Sequence, residues 1–453
     1  MGDPEKSLQD QAAAMVEVAR SAGADIAEVV MVSKRDLGVR VRKGALEHVE
    51  EASSRGAGLR VFVGPNSGSA STSDLTPDGI RQLVDNALEV AKLSEADPDA
   101  LPPDAELLAR TFPDLDLLDA SLETFGADEA KERALAAEGA ALAVDPRLTN
   151  SDGAECGRTV GEVALATSGG FVGSYRSSFV SLSVQPLAED EGGKKRGGAF
   201  YDARRHLEDL MGAEAVGREA AGRTLAKLGP RKLPSAEVPV VFHPEAGRAL
   251  LSALLGCVSG NAVYRRSTYL ADREGSEIAS PLVTLLDDPL LPRGPGSRPF
   301  DGEGLASRPN KVVDGGRLEM FLCDTYSARR LGRTSTGSAA RGLGGRPSVA
   351  ASNFRMIPGD IPPEHIVRDV QRGLLVTSMM GFGFNPVTGD FSRGAEGFWI
   401  EGGQVAYPVS EITVSANFDD LWRGIDAVGD DPDDRSAVSV PTFRVRRMTI
   451  SGS

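Results

Sequence analysis

The 453-residue sequence predicts an α+β protein, with an N-terminal domain of antiparallel sheet and packed helices and a mostly β C-terminal domain with a few helices. Two observations carry that expectation. Between residues 27 and 75, Val-rich segments alternate apolar with polar side chains, and the turns between them are far shorter than the crossover that parallel strands need. Beyond residue 240 the texture changes to a long series of short, Gly-rich strands.

The elements follow in order. Ala12, Ala13, Met15, Val16, Val18 and Ala19 share one broad face of an opening helix that Gly23 closes. Four or five short strands then form a meander over 27–75. Thr76 caps the next helix, Pro77 takes its first position, and Ile80, Leu83, Val84, Ala87, Val90 and Ala91 carry it to Leu93. An acidic, proline-bearing connector spans 95–119, and 127–144 is an alanine-rich helix. Residues 148–201 alternate again, with turns expected at Ser151-Asp152-Gly153, Ser168-Gly169-Gly170 and Glu191-Gly192-Gly193. A helix over 207–228 stops at Gly229-Pro230. Three prolines mark 230–239 as a linker with few contacts across it, dividing a domain of residues 1–229 from one of 240–453. After it come a short apolar strand ending at His243, a helix over 245–258 and one more helix near 364–372.

Composition narrows the function classes. Fifty Lys and Arg against 65 Asp and Glu leave a net charge of −15, which excludes a chain-wide basic footprint for nucleic acid. No apolar stretch is long enough to span a bilayer, and the amino terminus has no basic start followed by an apolar block. Cys156, Cys257 and Cys323 are odd in number and far apart, so they form no disulfide framework and fit a reducing compartment. The expected location is the cytoplasm.

Generic catalytic patterns are missing from the sequence. It has no phosphate loop, no nucleophile elbow, and no two of its four histidines fall on adjacent turns of one helix. The acidic cluster Asp430, Asp431, Asp433 and Asp434 lacks the glycine and the distal glutamate of a calcium loop and is expected to be a solvated loop. Cys257 and Cys323 are expected to be small core residues.

Five ordered segments are more distinctive: GNAVYRRSTYL (260–270), FDGEG (300–304), YSARRLGRTSTG (326–337), TGDFSRGAEGFWIEGG (388–403) and YPVSEITVSANFDDLW (407–422). With SASTSDL at 69–75 and PDLDL at 113–117, they make nearly the whole chain resemble the TldD/TldE (PmbA) family, long called modulators of DNA gyrase and classed with the metallopeptidases. The resemblance implies two branches. TldD-type members carry His-Glu-x-x-x-His on a helix, the imidazoles holding a metal and the glutamate activating water, with a further ligand near the carboxyl end. Aligned on Tyr264-Arg265-Arg266, those three positions hold Ser252, Ala253 and Cys257 here, and the segment from Arg435 to Ser453 has neither Cys nor His. This is the TldE/PmbA pattern.

The resemblance therefore implies a non-catalytic subunit with no metal or other cofactor of its own. It would complete a cytosolic heterodimer with a TldD-like metallopeptidase subunit that holds zinc, and the pair would degrade or process unfolded or flexible peptides. A homodimer is left open. Arg265, Arg266, Tyr326, Arg329 and Arg393 are candidate peptide-binding residues; the alternative is that they pair with Asp301, Glu303, Asp390, Glu396 or Glu411 to stiffen loops. Two rival readings stand beside this one: an autonomous enzyme whose site is built from residues such as His243, Glu245 and Cys257, or a non-proteolytic binding or regulatory protein.

Overall fold

The computed structural model describes residues 7–452. The first six residues of the expected amino-terminal segment lie outside that range. Helix α1 (Leu8–Ser21) is capped by Ser7, whose hydroxyl accepts the Asp10 N–H at 3.2 Å. It buries Ala12, Met15, Val16 and Ala19, while Val18 points to solvent. The 27–75 meander is three strands rather than four or five: β1 (Ile26–Arg42), β2 (Ala45–Val63) and β3 (Asn66–Thr72). The expected breaks fail because Gly38, Gly56 and Gly58 lie inside paired strands. At Gly58 an added Cβ would sit 2.0 Å from the Leu343 carbonyl oxygen, so this glycine admits a close backbone approach and makes no turn.

Helix α2 (Pro77–Leu93) starts at Thr76 as expected, and α3 (Ala127–Leu142) follows the connector. Strands β4 (Leu148–Thr167) and β5 (Val172–Glu189) form a hairpin whose turn is Ser168-Gly169-Gly170. Ser151-Asp152-Gly153 is a bulge inside β4, where the register shifts between Ser151 and Ala154, and not a turn. Short strands β6 (Lys195–Gly197) and β7 (Phe200–Arg204) pair with the outer edge of β5. Helix α4 (Ala213–Ala226) begins six residues later than the periodicity suggests, because Leu207–Asp209 is a separate 3-10 turn. The sheet runs β3-β2-β1-β4-β5-β6, antiparallel throughout.

One face of this sheet carries all four helices. Alternation along β1 places Val29 and Met31 under α1 and α2, and Leu37, Val39 and Val41 under α3 and α4. Val30 points the other way, into a cluster with Leu108, Phe171 and Phe300. That opposite face is thus where the second half of the chain docks.

The stretch 230–239 is not a loose tether. The Arg231 N–H donates to Pro408 O at 2.9 Å, Leu233 is buried, and β8 (Ala236–Phe242) already occupies its last residues. The second half is built on a closed five-stranded circuit. β8 pairs in parallel with Arg372–Met380, which pairs with Asp390–Glu401, then Gln404–Asn417, then Phe443–Gly452, and this last strand returns to β8. The pairing of Ile412 with Gly452 closes the ring and leaves that run of strands no free edge. Residues 364–372 are split between the helix Pro363–Arg368 and the start of a strand. A second sheet of five short strands joins Leu285–Asp287, Asn310–Asp314, Arg317–Leu318, Phe354–Met356 and Val438–Ser439.

Candidate functional site

Helix α5 (Pro244–Cys257) connects two polar regions. Pro244 takes its first position, and His243 caps it by accepting the Glu245 N–H on Nδ1 at 3.3 Å. Leu250, Leu251 and Leu254 bury its inner face in the largest core cluster. The three positions where the resemblance implies metal chemistry lie on the carboxyl-terminal half. Ser252 is exposed, Ala253 is half-buried, and Cys257 is fully buried. Burial pushes the Cys257 thiol up to about 11, against a hydrogen bond with Thr268 that lowers it. It is therefore protonated at neutral pH. A hydroxyl, a methyl group and a buried neutral thiol do not fit a zinc ion. Among the described residues, no group of three or more His, Cys, Asp or Glu side chains is placed to hold a metal.

His243 and Glu245 sit at the opposite end of the same helix. Fourteen residues at about 1.5 Å each put Cys257 roughly 20 Å from them, so the structure does not bring this trio together. They face instead a cleft of about 580 Å³ between α4 and the barrel, also lined by Arg223 and Lys227. Burial would raise the Glu245 carboxyl, yet hydrogen bonds from Arg435 (2.5 Å) and Arg223 (2.8 Å) outweigh it and hold the group below its ordinary range. Burial holds the His243 imidazole below its ordinary value, and with Nδ1 accepting, the proton of the neutral ring sits on Nε2. The acidic cluster nearby is not simply solvated. Asp433 pairs with Arg248 and Arg435, and Asp431 accepts the Thr442 N–H and hydroxyl, while Asp430 and Asp434 are exposed.

Beyond Cys257 the chain forms α6 (Gly260–Tyr264), which meets α7 (Thr325–Arg330) through the edge-to-face pair Tyr264 and Tyr326, 5.8 Å between ring centres. Asp324 caps α7 by accepting the Ser327 N–H at 2.8 Å. A cavity of about 510 Å³ opens beside α5, lined by Leu255, Gly256, Asn261 and Arg265 among others. The guanidinium carbons of Arg265 and Arg330 lie 5.4 and 5.8 Å from the Tyr264 ring centre, and that of Arg346 lies 4.8 Å from Tyr326. Four of the five candidate peptide-binding residues thus lie on α6, on α7 or in the turn between α6 and Ser267. Arg330 and Arg346 were not singled out from sequence, since only tertiary contacts link them to Tyr264, 66 residues from Arg330, and to Tyr326, 20 residues from Arg346.

The acid partners proposed from sequence for these residues are not the ones observed. Arg265 donates to its neighbour's phenol oxygen at 2.9 Å, and Arg266, with φ of 52°, pairs with Asp272 at 2.9 Å in the open. Arg329 points into the connector and donates to the carbonyls of Asp99, Leu101 and Pro102. Glu303 is held by Thr325, Asp301 by three backbone amides, Glu396 by Lys227 and Glu411 by Lys232. Asp390 accepts from Thr388 and Asn417. Arg393 stands apart on the strand Asp390–Glu401, its Nε buried and without a hydrogen-bond partner among the described residues.

This fold, an antiparallel sheet under four helices docked on a closed five-stranded circuit, defines the class. Three models of the PmbA/TldA metallopeptidase match in order: domain 1 at residues 27–91, the central domain at 120–228 and the C-terminal domain at 235–452. The chain belongs to this PmbA/TldD metallopeptidase family, on its PmbA/TldE side. It is 38% identical over 447 residues to "Metalloprotease PmbA" of Escherichia coli O157:H7, spanning 99% of this chain and 96% of that protein. Identity to "Metalloprotease PmbA homolog" of Haemophilus influenzae is 35%, over 99% of this chain and 97% of the relative. Among solved structures, a Bacteroides thetaiotaomicron protein described as a presumed modulator of DNA gyrase superposes with a TM-score of 0.92 at 29% identity, covering 100% of both chains. The fold is also that of TldE from Thermococcus kodakarensis, with a TM-score of 0.87 at 23% identity over 97% of this chain and 99% of that one.

Proposed function

We propose that this chain is a subunit without a metal centre of its own, which completes a peptide-hydrolysing complex with a TldD-like metallopeptidase in the cytoplasm. The observation that carries the reading is the chemistry at Ser252, Ala253 and Cys257, where no imidazole, carboxylate or thiolate is offered. Relatives support the pairing: Haemophilus influenzae and one Buchnera aphidicola strain each have both a PmbA homologue and a TldD homologue that match this chain. No helix among the described residues is long and apolar enough to cross a membrane, in keeping with a complex free in the cytoplasm.

The substrate class is an unfolded or flexible peptide. Arg265, Arg266 and Tyr326, together with Arg330 and Arg346, form a cationic and aromatic surface suited to peptide carbonyls and carboxylates beside the α5 cavity. Arg393 supplies a further cation, its buried Nε without a hydrogen-bond partner among the described residues. Arg329 serves by anchoring the connector. Zinc would reside in the partner.

A second reading follows from the relatives' printed name, metalloprotease, which makes the chain an enzyme by itself. Co-expression with a TldD-like protein separates the two. Our reading expects a mixed dimer that cleaves a flexible peptide and loses the activity when the partner's metal helix is mutated. Stoichiometric zinc in this chain alone, with peptide cleavage in the absence of a partner, overturns it.

A further inference from the structure

Away from α5, a cavity of about 490 Å³ lies between the two halves of the molecule. Its walls include Arg205, just after β7, and Arg355, on the strand Phe354–Met356. Arg205 is 5% exposed, and among the described residues no carboxylate forms an ion pair with it. Its Nε donates to Gly294 O at 3.2 Å, its Nη2 to Pro295 O at 2.8 Å, and its guanidinium carbon lies 4.0 Å from the Phe179 ring centre. Burial pulls its pKa down to about 10, which still leaves it charged at neutral pH. Arg355 has a buried Nε without a hydrogen-bond partner among the described residues, and its paired carboxylate, Asp288, stands 4.0 Å away.

The other charges of the wall are already matched, Asp434 excepted. Arg204 is paired with Asp202, and Arg293 with Asp116, Glu208 and Asp209. Asp434 is exposed and accepts a long 3.5 Å hydrogen bond from Ser439. Two under-paired guanidinium groups remain, one from each half, in a chain whose net charge is −15.

We propose that this cavity binds a small ligand through an oxyanion, a phosphate or carboxylate group, held by Arg205 and Arg355. A guanidinium taken out of water is costly unless its donors and its charge are met. Carbonyl oxygens meet two donors of Arg205, and a planar or tetrahedral oxyanion would meet the rest of the fork and the charge. The volume lies in the range of about 300–1,000 Å³ usual for small-molecule sites. Because the two arginines come from different halves, such a ligand would tie the halves together.

Calorimetry and thermal unfolding of the full chain, titrated with inorganic phosphate and separately with citrate at ionic strength held by sodium chloride, test the proposal. Saturable one-to-one binding that raises the melting temperature is expected. Binding of phosphate alone assigns a phosphate-bearing ligand, binding of citrate alone a carboxylate, and binding of both a general oxyanion site. Arg355→Gln should weaken binding by about tenfold or more, the loss of a charge-assisted hydrogen bond, while circular dichroism stays unchanged. Arg205→Gln should abolish binding where it folds; with its side chain 32% exposed, Arg355 provides the test that does not depend on it. No saturable response to either anion, or an affinity unchanged by Arg355→Gln, overturns the proposal. So does an Arg205→Gln protein that melts lower yet responds to the anion as before, because Arg205 would then be only a clamp on the 294–295 carbonyls.

Discussion

Arg341 and Glu28, 313 residues apart in sequence, form a 2.9 Å ion pair whose side chains are 3% and 1% exposed. Glu28 lies on β1 and also pairs with Arg60 of β2 at 3.5 Å, while Arg341 belongs to the second half of the chain. The pair thus joins the halves within the protein interior. Removing Arg341 leaves the buried Glu28 carboxylate with only the longer pair to Arg60, and removing Glu28 leaves two buried guanidinium groups without their shared carboxylate. Arg341→Met should destabilise by roughly 1–3 kcal/mol in urea unfolding, and Glu28→Gln, which takes the carboxylate from both Arg341 and Arg60, should cost more. A loss below about 1 kcal/mol would mean that water reaches the site.

Glu303, in the FDGEG segment, predicts an uncommon pH dependence. Burial, then the neighbouring Asp301, pushes its carboxyl up to about 8, against hydrogen bonds from Thr325. A carboxyl whose folded pKa exceeds the unfolded one binds more protons in the native state, so stability falls as pH rises from the ordinary carboxyl range to about 8. Glu303→Gln keeps an acceptor for Thr325 and removes the titration. It should be more stable than the parent at pH 9, with the difference shrinking toward pH 5, as read by urea midpoints. A constant difference across that range would contradict the assignment.

Thiol reactivity offers a direct check on the carboxyl-terminal end of α5. All three cysteines are free and buried, and burial pushes Cys156 up to about 12 and Cys257 and Cys323 up to about 11. A colorimetric thiol titration at pH 7.5 should find no fast-reacting group in the folded chain and three after unfolding. A fast thiol that Cys257→Ser removes would show that this end of α5 is open and would revive a ligand role there.

Arg329 and Arg266 should behave oppositely although both lie in the family-like motifs. Arg329 ties down the connector through three carbonyls, so Arg329→Ala should cost about 2 kcal/mol and expose residues near 99–102 to limited proteolysis. Arg266 is exposed, as is Asp272, and Arg266→Ala should change stability by no more than about 0.5 kcal/mol. A slower peptide cleavage by the reconstituted complex carrying Arg266→Ala would then report contact with the peptide, free of any folding effect.

Much of the local structure was legible. Thr76 and Pro77 start α2 where capping chemistry places them, and the hairpin between β4 and β5 turns at its Gly pair. Glycines misled where their role was long-range: Gly58 makes room for the backbone at Leu343, and Gly153 sits in a bulge with φ of 119°. At the candidate site, the residue identities at 252, 253 and 257 were legible from sequence, and the structure adds that Cys257 is buried. The partners of Arg265, Arg266, Arg329 and Arg393 were not legible, because long, flexible cations take whichever carbonyl, ring or carboxylate the packed loops present.

Residue order alone settled the α+β character, the Thr76 cap and the identities of Ser252, Ala253 and Cys257 on α5, since each depends on neighbours within a few positions or on chemistry a side chain carries anywhere. Closure of the barrel through Ile412 and Gly452, the burial of Glu28 against Arg341 and the pairing of Arg205 with Arg355 around one cavity belong to the folded chain only. Those relations join residues tens to hundreds of positions apart, and only packing of the completed core brings them together.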